Sequence, residues 1–243
     1  MKRFGLIGFP LTHSFSKKYF TEKFAREGLD DHTYDLFPLR AIDEFPAVIE
    51  ANPDLVGLNV TIPYKQAILQ YLHESFLPGN MQATNCIKIL NGRLSGYNTD
   101  VIGFERSFTP LLQPHHTQAL VLGNGGATAA VIYVLQKLGI GYNIVSRKLH
   151  DGSSLQYEML DARHMDEHPV IINTTPLGMF PDVDVCPPIP YEHITAAHYL
   201  FDLVYNPPIT AFLKKGAEMG AVVKNGYDML EIQAEESWKI WNG

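Results

Sequence analysis

The 243-residue sequence predicts an α/β protein of two domains, in which helices alternate with the strands of mostly parallel sheets. Short apolar runs alternate with helix-like stretches along the chain, which is the pattern of parallel strands joined by helices. A glycine-rich turn near the middle of the chain lies between such a strand and such a helix. Hydrophobic residues make up 46% and charged residues 19%, proportions that fit a folded protein and exclude a disordered one.

Both kinds of element are predicted in the first half of the chain. The strands are Phe4–Gly8, His32–Phe37, Leu55–Val60, Cys86–Leu90 and Arg93–Tyr97, and the helices are Ser16–Gly28, Ala41–Glu50 and Pro63–Leu72. Ser16 is of a type that caps helices, and Gly28 of a type that ends them. Pro63 suits the first turn of a helix. The dipeptide Asn91-Gly92 predicts a tight hairpin between the last two strands.

A second series of elements starts after Asp100. Its helices are Val101–Leu112, Ala127–Leu138, Thr210–Met219 and Asp228–Ile240, and its strands are Ala119–Leu122, Asn143–Ser146, Val170–Asn173, Tyr199–Leu203 and Ala221–Val223. This restart places the domain boundary near Asp100–Gly103. The last helix is expected to return to the first domain. Residues 1–102 and 227–243 then form one domain, and residues 103–226 form the other.

Charge and cysteine content exclude several classes of protein. A net charge of −7 disfavours binding to the phosphates of nucleic acid. No apolar run approaches the ~20 residues that span a bilayer, and the N-terminus does not resemble a signal peptide. Two cysteines favour a reducing, cytoplasmic location over a disulfide framework. His164 and His168 are four residues apart, but this spacing is common by chance, so we expect no metal.

The glycine turn follows a predicted strand and opens a predicted helix. It consists of Gly123, Asn124, Gly125, Gly126 and Ala127. In this context the first glycine permits a tight turn, the next lets backbone amides approach a pyrophosphate, and the helix N-terminus faces its charge. Glycine turns also serve plain packing, but the strand–turn–helix context favours a dinucleotide.

The next strand ends in Ser146, Arg147 and Lys148. Sites for NAD usually place an acidic residue at this strand end, where it binds the ribose hydroxyls. A hydroxyl and two cations suit a 2′-phosphate instead. The sequence therefore predicts NADP(H) as the cofactor, with a solvated basic turn as the alternative interpretation.

Polar residues stand at or beyond predicted strand ends in the first domain, where α/β proteins bind ligands. They are Ser14, Ser16, Asn59, Thr61, Lys65, Asn85 and Asn98 to Asp100. Taken singly, each has an ordinary explanation, such as a helix cap or a surface lysine. Together, a lysine and an aspartate suit ketone reduction, which needs a proton donor beside a hydride donor.

Several blocks of the sequence resemble the shikimate dehydrogenase family. They are Asn59–Lys65 (NVTIPYK), Gly96–Asp100 (GYNTD), Asn173–Met179 (NTTPLGM), Asp202–Pro207 (DLVYNP) and Met229–Ala234 (MLEIQA). The matches follow the family's order over nearly the whole chain. The resemblance implies an N-terminal substrate domain and a Rossmann-like NADP-binding domain. It also implies reversible NADPH-dependent reduction of 3-dehydroshikimate to shikimate, a step of chorismate and aromatic amino acid biosynthesis.

The resemblance also implies roles for individual residues. Lys65 is expected to be the general acid and base, paired with Asp100. The expected substrate ligands are Ser14 and Ser16 for the carboxylate, Thr61, Asn85, Asp100 and Gln233 for the ring hydroxyls, and Tyr205, which closes the site. The expected cofactor ligands are residues 123–127 and 146–148 named above, with Leu203 and Gly226 beside the nicotinamide.

The sequence departs from the family pattern in three regions. One is Gln82–Cys86 (QATNC), which replaces the usual G-A-x-N-T and keeps Asn85. After the second serine it has Lys17, Tyr19 and Phe20 where the family usually has Pro and then His-Asn. At the cofactor end, Asn124 replaces the usual alanine, Ser146-Arg147-Lys148 replaces N-R-T, and the stretch to Val170 is short. These departures bear on the affinity for the cofactor more than on the chemistry.

Three other functions stay open at this stage. A quinate or quinate/shikimate dehydrogenase would share Lys65 and Asp100 but could use NAD. A non-catalytic protein that senses shikimate metabolites would not need that pair. A folate-type dehydrogenase is disfavoured by the two serines and the NTTPLGM block. The sequence is compatible with a homodimer and does not decide the oligomeric state.

Overall fold

The computed structural model describes residues 1–11, 14–149 and 154–243. The chain divides into two compact units. The first unit contains residues 1–99 and 234–243, and the second contains residues 100–233. The division falls at Thr99/Asp100 and again inside the last helix, at Gln233/Ala234.

A mixed six-stranded sheet forms the centre of the first unit. Its strands are β1 Lys2–Gly8, β2 His32–Pro38, β3 Leu55–Val60, β4 Glu74–Ser75, β5 Cys86–Leu90 and β6 Arg93–Tyr97, in the order β2-β1-β3-β5-β6-β4. Strand β1 pairs in parallel with β2 and β3, while β3–β5 and β5–β6 are antiparallel. The hairpin between β5 and β6 is confirmed. Asn91 (φ 51°) and Gly92 (φ 75°) both have the positive φ of a type I′ turn.

Two helices of the first unit begin differently from the prediction. Helix α1 spans Phe15–Glu27, and its N-cap is Ser14, whose Oγ accepts a hydrogen bond from the Lys17 amide at 3.2 Å. Ser16 therefore lies inside the first turn and does not cap the helix. Gly28 ends the helix in the left-handed conformation, as expected. The predicted helix 41–50 is a 3₁₀ turn, Ile42–Glu44, followed by α2, Phe45–Ala51.

The predicted helix Pro63–Leu72 is wrong. A 3₁₀ helix covers only Ala67–Tyr71, and the segment before it is an irregular loop. The backbone of this loop pairs with other segments: the Thr61 amide donates to the Ile7 carbonyl at 2.9 Å, and the Lys65 carbonyl accepts from the Thr84 amide at 2.8 Å. With the Lys65 carbonyl bonded to Thr84, the bonds inside the segment are one i→i−4 bond, from the Ile68 amide to the Tyr64 carbonyl, and then the i→i−3 bonds of a 3₁₀ helix.

The second unit contains a fully parallel six-stranded sheet. Its strands are β7 Gln118–Leu122, β8 Gly141–Ser146, β9 Leu155–Gln156, β10 Val170–Asn173, β11 Tyr199–Asp202 and β12 Val222–Asn225, in the order β12-β11-β10-β7-β8-β9. This order turns back at the first strand of the unit, as in a Rossmann fold, and its switch point lies between β7 and β10. Ligands bind at such points, beyond the carboxyl ends of the strands.

The remaining helices are α3 Asp100–Phe108, α4 Thr128–Lys137, α5 Ala162–Glu167, α6 Ala211–Glu218 and α7 Tyr227–Asn242. The end of α7 belongs to the first unit, where the Trp241 indole donates to the Ile87 carbonyl at 3.0 Å. The C-terminal helix thus returns to the first unit, as expected. No helix of the described residues is long and apolar enough to cross a membrane.

The burial of the central strands in the second unit fits a parallel sheet. Every residue of β10 and β11 is buried, which is typical of a parallel sheet covered on both faces.

The segment between Lys148 and Val170 contains, among its described residues, only the short strand β9, a 3₁₀ turn and the six-residue α5. His164 Nδ1 lies 2.6 Å from the Asp161 carboxylate, and His168 Nε2 lies 2.9 Å from Asn143 Nδ2.

Candidate active site

Asn59 is the centre of a buried network of uncharged groups at the carboxyl end of β3 in the first unit. Its Oδ1 accepts from the Tyr34 hydroxyl at 2.9 Å, and its Nδ2 donates to Ser237 Oγ at 2.9 Å and to the Asn85 carbonyl at 3.2 Å. Tyr34 and Ser237 are themselves buried. The three bonds fix the amide in one orientation, so Asn59 supports neighbouring loops and does not point into solvent.

Asn85 links this network to the segment that leads into the second unit. Its Oδ1 accepts from the Thr99 amide at 2.7 Å, and its Nδ2 donates to Thr99 Oγ1 at 3.0 Å. Its backbone amide donates to the Tyr97 carbonyl at 3.1 Å. These bonds orient the GYNTD segment immediately before Asp100. Asn85 therefore has a structural task in addition to the substrate contact predicted for it.

Lys65 stands on a loop whose backbone is held from both sides. The backbone bonds at Thr61 and Lys65 attach the loop to β1 and to Thr84. The buried Tyr64 anchors it further, because its hydroxyl donates to the Leu39 carbonyl at 2.7 Å. The side chains of Thr61 and Lys65 are half-buried. A lysine on so constrained a loop is suited to meet a substrate in one geometry.

The two predicted carboxylate ligands lie together at the start of α1. Ser14 caps the helix, and Ser16 follows in the first turn, where a hydrogen bond joins its side chain to the Tyr34 hydroxyl. Lys17, one of the departures from the family pattern, turns to β2. Its ammonium group donates to the Tyr34 carbonyl and lies 3.2 Å from the Asp35 carboxylate. Two hydroxyls at a helix N-terminus suit an anion.

The glycine turn of the second unit lies at the switch point of the sheet. Gly123 has φ +101°, and a Cβ there would come within 2.7 Å of Thr175 Cγ2 in the loop after β10. The Thr128 hydroxyl closes the turn, since it accepts from the Gly125 amide at 3.0 Å and contacts Thr174 Oγ1 at 2.9 Å. A Cβ on Gly125 would meet nothing within 4 Å, so its backbone faces open space. This cradle fits a pyrophosphate.

The end of β8 presents two cations to solvent. Ser146 is buried and its hydroxyl donates to the Lys148 carbonyl at 2.6 Å, which fixes the turn. The Arg147 and Lys148 side chains on that turn are exposed. The turn therefore fits a phosphate on the adenosine ribose, and residues 146–149, the described part of this strand end, include no acidic residue.

Asp100 and Gln233 belong to neighbouring helices of the second unit. Asp100 begins α3 and is buried, and Gln233 lies on α7. The two helices pack closely, because a Cβ on Gly103 would lie 3.2 Å from Gln233 Cβ. Gln233 Nε2 donates to the Leu230 carbonyl at 3.0 Å.

Leu203 and Gly226 also adjoin one another, as their shared role requires. A Cβ on Gly226 would overlap the Leu203 backbone, so only glycine fits this close approach. Tyr205 follows on the same loop as Leu203, and burial raises the pKa of its hydroxyl. Leu203 and Gly226, the two residues predicted to lie beside the nicotinamide, thus meet where the loops after β11 and β12 adjoin.

Asp202, at the end of β11, opens the DLVYNP block but received no role on sequence grounds. Its buried carboxylate accepts hydrogen bonds from Asn173, Val204 and Thr210. A signal was available, since an acidic residue directly follows the apolar run Tyr199–Phe201. An ionisable side chain at the end of a buried strand is rarely placed there without partners.

The second unit has a Rossmann sheet with a glycine turn at its switch point and cations at the next strand end. Together with an α/β unit that carries a lysine, this fold is typical of NADP-dependent oxidoreductases. Residues 6–87 match the family model for the shikimate dehydrogenase substrate binding domain. Two curated relatives are named shikimate dehydrogenase (NADP(+)). The one from Caldicellulosiruptor saccharolyticus is 33% identical over 99% of this chain and 92% of its own. The one from Methanococcus maripaludis strain C6 is 36% identical over 100% and 92%.

Solved structures agree with the curated relatives. Shikimate 5-dehydrogenase from Thermus thermophilus, solved in complex with NADP(H) and shikimate, superimposes with a TM-score of 0.86 at 28% identity. The match covers 100% of this chain and 94% of that one. The chain belongs to the shikimate dehydrogenase family.

Proposed function

We propose that this protein is an NADP-dependent shikimate dehydrogenase that interconverts 3-dehydroshikimate and shikimate. The observation that carries the proposal is the Lys65 loop, whose backbone is bonded on both sides within the unit that matches the family's substrate domain. The names of the relatives support the same activity and cofactor. The pathway is then chorismate and aromatic amino acid biosynthesis.

In the proposed reaction, Lys65 gives its ammonium proton to the C3 oxygen of 3-dehydroshikimate as the ketone becomes an alcohol. Bound NADPH supplies the hydride to the C3 carbon. Asp100 is assigned to accept a hydrogen bond from a ring hydroxyl of the substrate. In the oxidation of shikimate, Lys65 takes the same proton back as a general base.

The substrate's other groups are assigned to residues at strand and helix ends. Ser14 and Ser16 bind the carboxylate at the N-terminus of α1. The ring hydroxyls are held by Thr61, Asn85 and Gln233, and Tyr205 closes the site. The cofactor is held by the residues of the glycine turn at its pyrophosphate, by Ser146, Arg147 and Lys148 at its 2′-phosphate, and by Leu203 and Gly226 at its nicotinamide.

Initial rates at 340 nm test the activity directly. Shikimate and quinate would each be combined with NADP⁺ and with NAD⁺. We expect fast reduction only with shikimate and NADP⁺. Comparable rates with quinate or NAD⁺ would show a quinate-type enzyme, and no rate from folded protein that still binds shikimate would show a non-catalytic binding protein.

Two further expectations concern the protein's surroundings. Cys86 and Cys186 are not joined in a disulfide, which supports a cytoplasmic location. The homodimer stays a prediction, and size-exclusion chromatography with light scattering would test it.

A further inference from the structure

Asp202, the last residue of β11, is a fully buried carboxylate for which the proposed reaction has no use. Its Oδ1 accepts from Asn173 Nδ2 at 2.9 Å and from the Val204 amide at 3.0 Å. Its Oδ2 accepts from Thr210 Oγ1 at 2.6 Å. Hydrogen bonds to a carboxylate are the strong ones, so three of them hold the chain on either side of residue 202 in one conformation.

The Asn173 side chain extends these bonds into the loop after β10. Asn173 Oδ1 accepts from the Thr175 amide at 3.0 Å and from the Thr175 hydroxyl at 2.6 Å. Its Nδ2, besides bonding Asp202, donates to the Leu177 carbonyl at 3.4 Å. The buried side-chain bond between Asn173 and Asp202 therefore joins the NTTPLGM loop to the DLVYNP loop, beside the backbone bond that the Leu203 amide donates to the Asn173 carbonyl at 3.0 Å.

Both loops reach the parts of the second unit that are assigned to the cofactor. A Cβ on Gly123 of the glycine turn would lie 2.7 Å from Thr175 Cγ2, so the loop after β10 passes directly beside that turn. The Val204 amide bonded to Asp202 directly follows Leu203, and the Gly226 amide donates to the Val204 carbonyl at 3.3 Å. Asp202 thus fixes the peptide that follows Leu203, and the carbonyl of the same Val204 holds the Gly226 amide of the loop after β12.

Thr210 connects the same carboxylate to α6. Its Oγ1 donates to Asp202 and also accepts from the Leu213 amide at 3.3 Å, as the N-cap of α6. The whole segment from β11 to α6, residues 202–211, is therefore fastened at its beginning and at its end to one side chain.

We propose that Asp202 is a positioning residue for the nicotinamide end of the cofactor site. By holding the loops after β10 and β11 in register, it places Leu203 and Gly226 before the cofactor arrives. Binding then does not have to order these loops, which would otherwise cost affinity. The assignment rests on the proposed function, because it presumes that NADP(H) occupies the second unit.

The test compares two ligands that differ only at the nicotinamide end. NADP⁺ and 2′-phospho-ADP-ribose, which lacks the nicotinamide, would be titrated calorimetrically into the wild type and into Asp202→Asn. The variant keeps the shape of the side chain and removes its charge. We expect NADP⁺ to bind about tenfold more weakly, the effect of about one lost charge-assisted bond, and 2′-phospho-ADP-ribose to change less than about twofold.

Two sets of variants control for folding and charge. Asp161→Asn makes the same change at an exposed helix cap of the same unit and should alter neither affinity. Thr210→Val removes one of the three donors, whereas Thr210→Ser keeps the hydroxyl. We expect Thr210→Val to lose less NADP⁺ affinity than Asp202→Asn, and Thr210→Ser to bind NADP⁺ as the wild type does. These two variants still test the proposal if Asp202→Asn fails to fold.

The outcomes separate this proposal from the proposed function. Equal weakening of both ligands, or of neither, overturns the positioning role while the wild type still binds NADP⁺. Failure of the wild type to bind NADP⁺ at all overturns the proposed function, and the positioning role with it.

Discussion

Two buried polar clusters stand at the carboxyl ends of central strands, one in each unit, and they are built from different chemistry. The cluster around Asn59 in the first unit consists of uncharged amides and hydroxyls. The cluster around Asp202 in the second unit is centred on a carboxylate. An uncharged network does not change with pH in the range where carboxyls titrate, whereas the second cluster does. The support for the substrate unit and that for the cofactor unit should therefore respond differently to pH and mutation.

The largest expected effect falls on the chemistry of the first unit. Lys65→Ala removes the proposed proton donor and should lower kcat by about 10²-fold or more, with little change in substrate affinity. Steady-state rates with 3-dehydroshikimate and NADPH measure this. Lys18→Ala, an exposed lysine on α1, is the matched control and should leave kcat unchanged. A near-normal kcat in Lys65→Ala would remove this residue from the reaction.

Removing the centre of the neutral cluster should destabilise the protein at every pH. Asn59→Leu leaves Tyr34 and Ser237 without their buried partner and should cost about 2–4 kcal/mol in the free energy of unfolding. Urea denaturation at several pH values measures the loss and its expected constancy. Asn242→Leu, at an exposed amide on α7, should change stability little. A loss that varies strongly between pH 4 and 7 would contradict the comparison.

The charged cluster should show the opposite behaviour. Burial raises the pKa of the Asp202 carboxyl from 3.8 to about 6. The folded state then holds the proton more tightly than the unfolded chain, so this stabilisation is complete below pH 3.8 and is lost as the pH rises through about 6. Asp202→Asn removes the dependence. The difference in free energy of unfolding between wild type and variant should shift by on the order of 2 kcal/mol between pH 4 and 7.

A flat difference over that pH range would show that Asp202 titrates normally. The carboxylate would then be satisfied by its three donors strongly enough to offset burial, and both clusters would behave alike.

The smallest effect concerns the exposed turn at the end of β8. Arg147→Ala should raise the KM for NADPH about tenfold, the scale of one lost charge-assisted contact, and leave the KM for 3-dehydroshikimate unchanged. Arg163→Ala, an exposed arginine on α5, is the control. An unchanged KM for NADPH would mean that the basic turn is merely solvated.

Local signals in the sequence predicted much of the fold. The hairpin at Asn91-Gly92 and the end of α1 at Gly28 are fixed by backbone conformations that few residues adopt. The strand–glycine–helix order likewise predicted the turn at the switch point. The helix proposed at Pro63 failed for the opposite reason, since the Lys65 carbonyl is bonded to the Thr84 amide, which no local signal predicts.

The sequence offered candidate ligands for the site but not the contacts that support them. Lys65 stands in the NVTIPYK block, and the two serines precede a departure from the family pattern. The side-chain partners of Asp202 lie 29 residues before it and eight after it, so no local pattern brings them together. The tasks of Asn59 and Asn85 within the first unit also depend on a distant residue, because Ser237 arrives with the returning helix.

The central claim is that the first unit supplies the proton and the second unit binds NADPH. Initial rates test it most directly in four proteins: the wild type, Lys65→Ala, Arg147→Ala and the double variant. Varying NADPH and 3-dehydroshikimate separately gives kcat and both KM values for each. We expect Lys65→Ala to lower kcat and Arg147→Ala to raise the KM for NADPH. In the double variant, each effect should have the same size as in the single variant. The claim is contradicted if either single substitution changes both kcat and the KM for NADPH, or if the two effects depend on one another in the double variant.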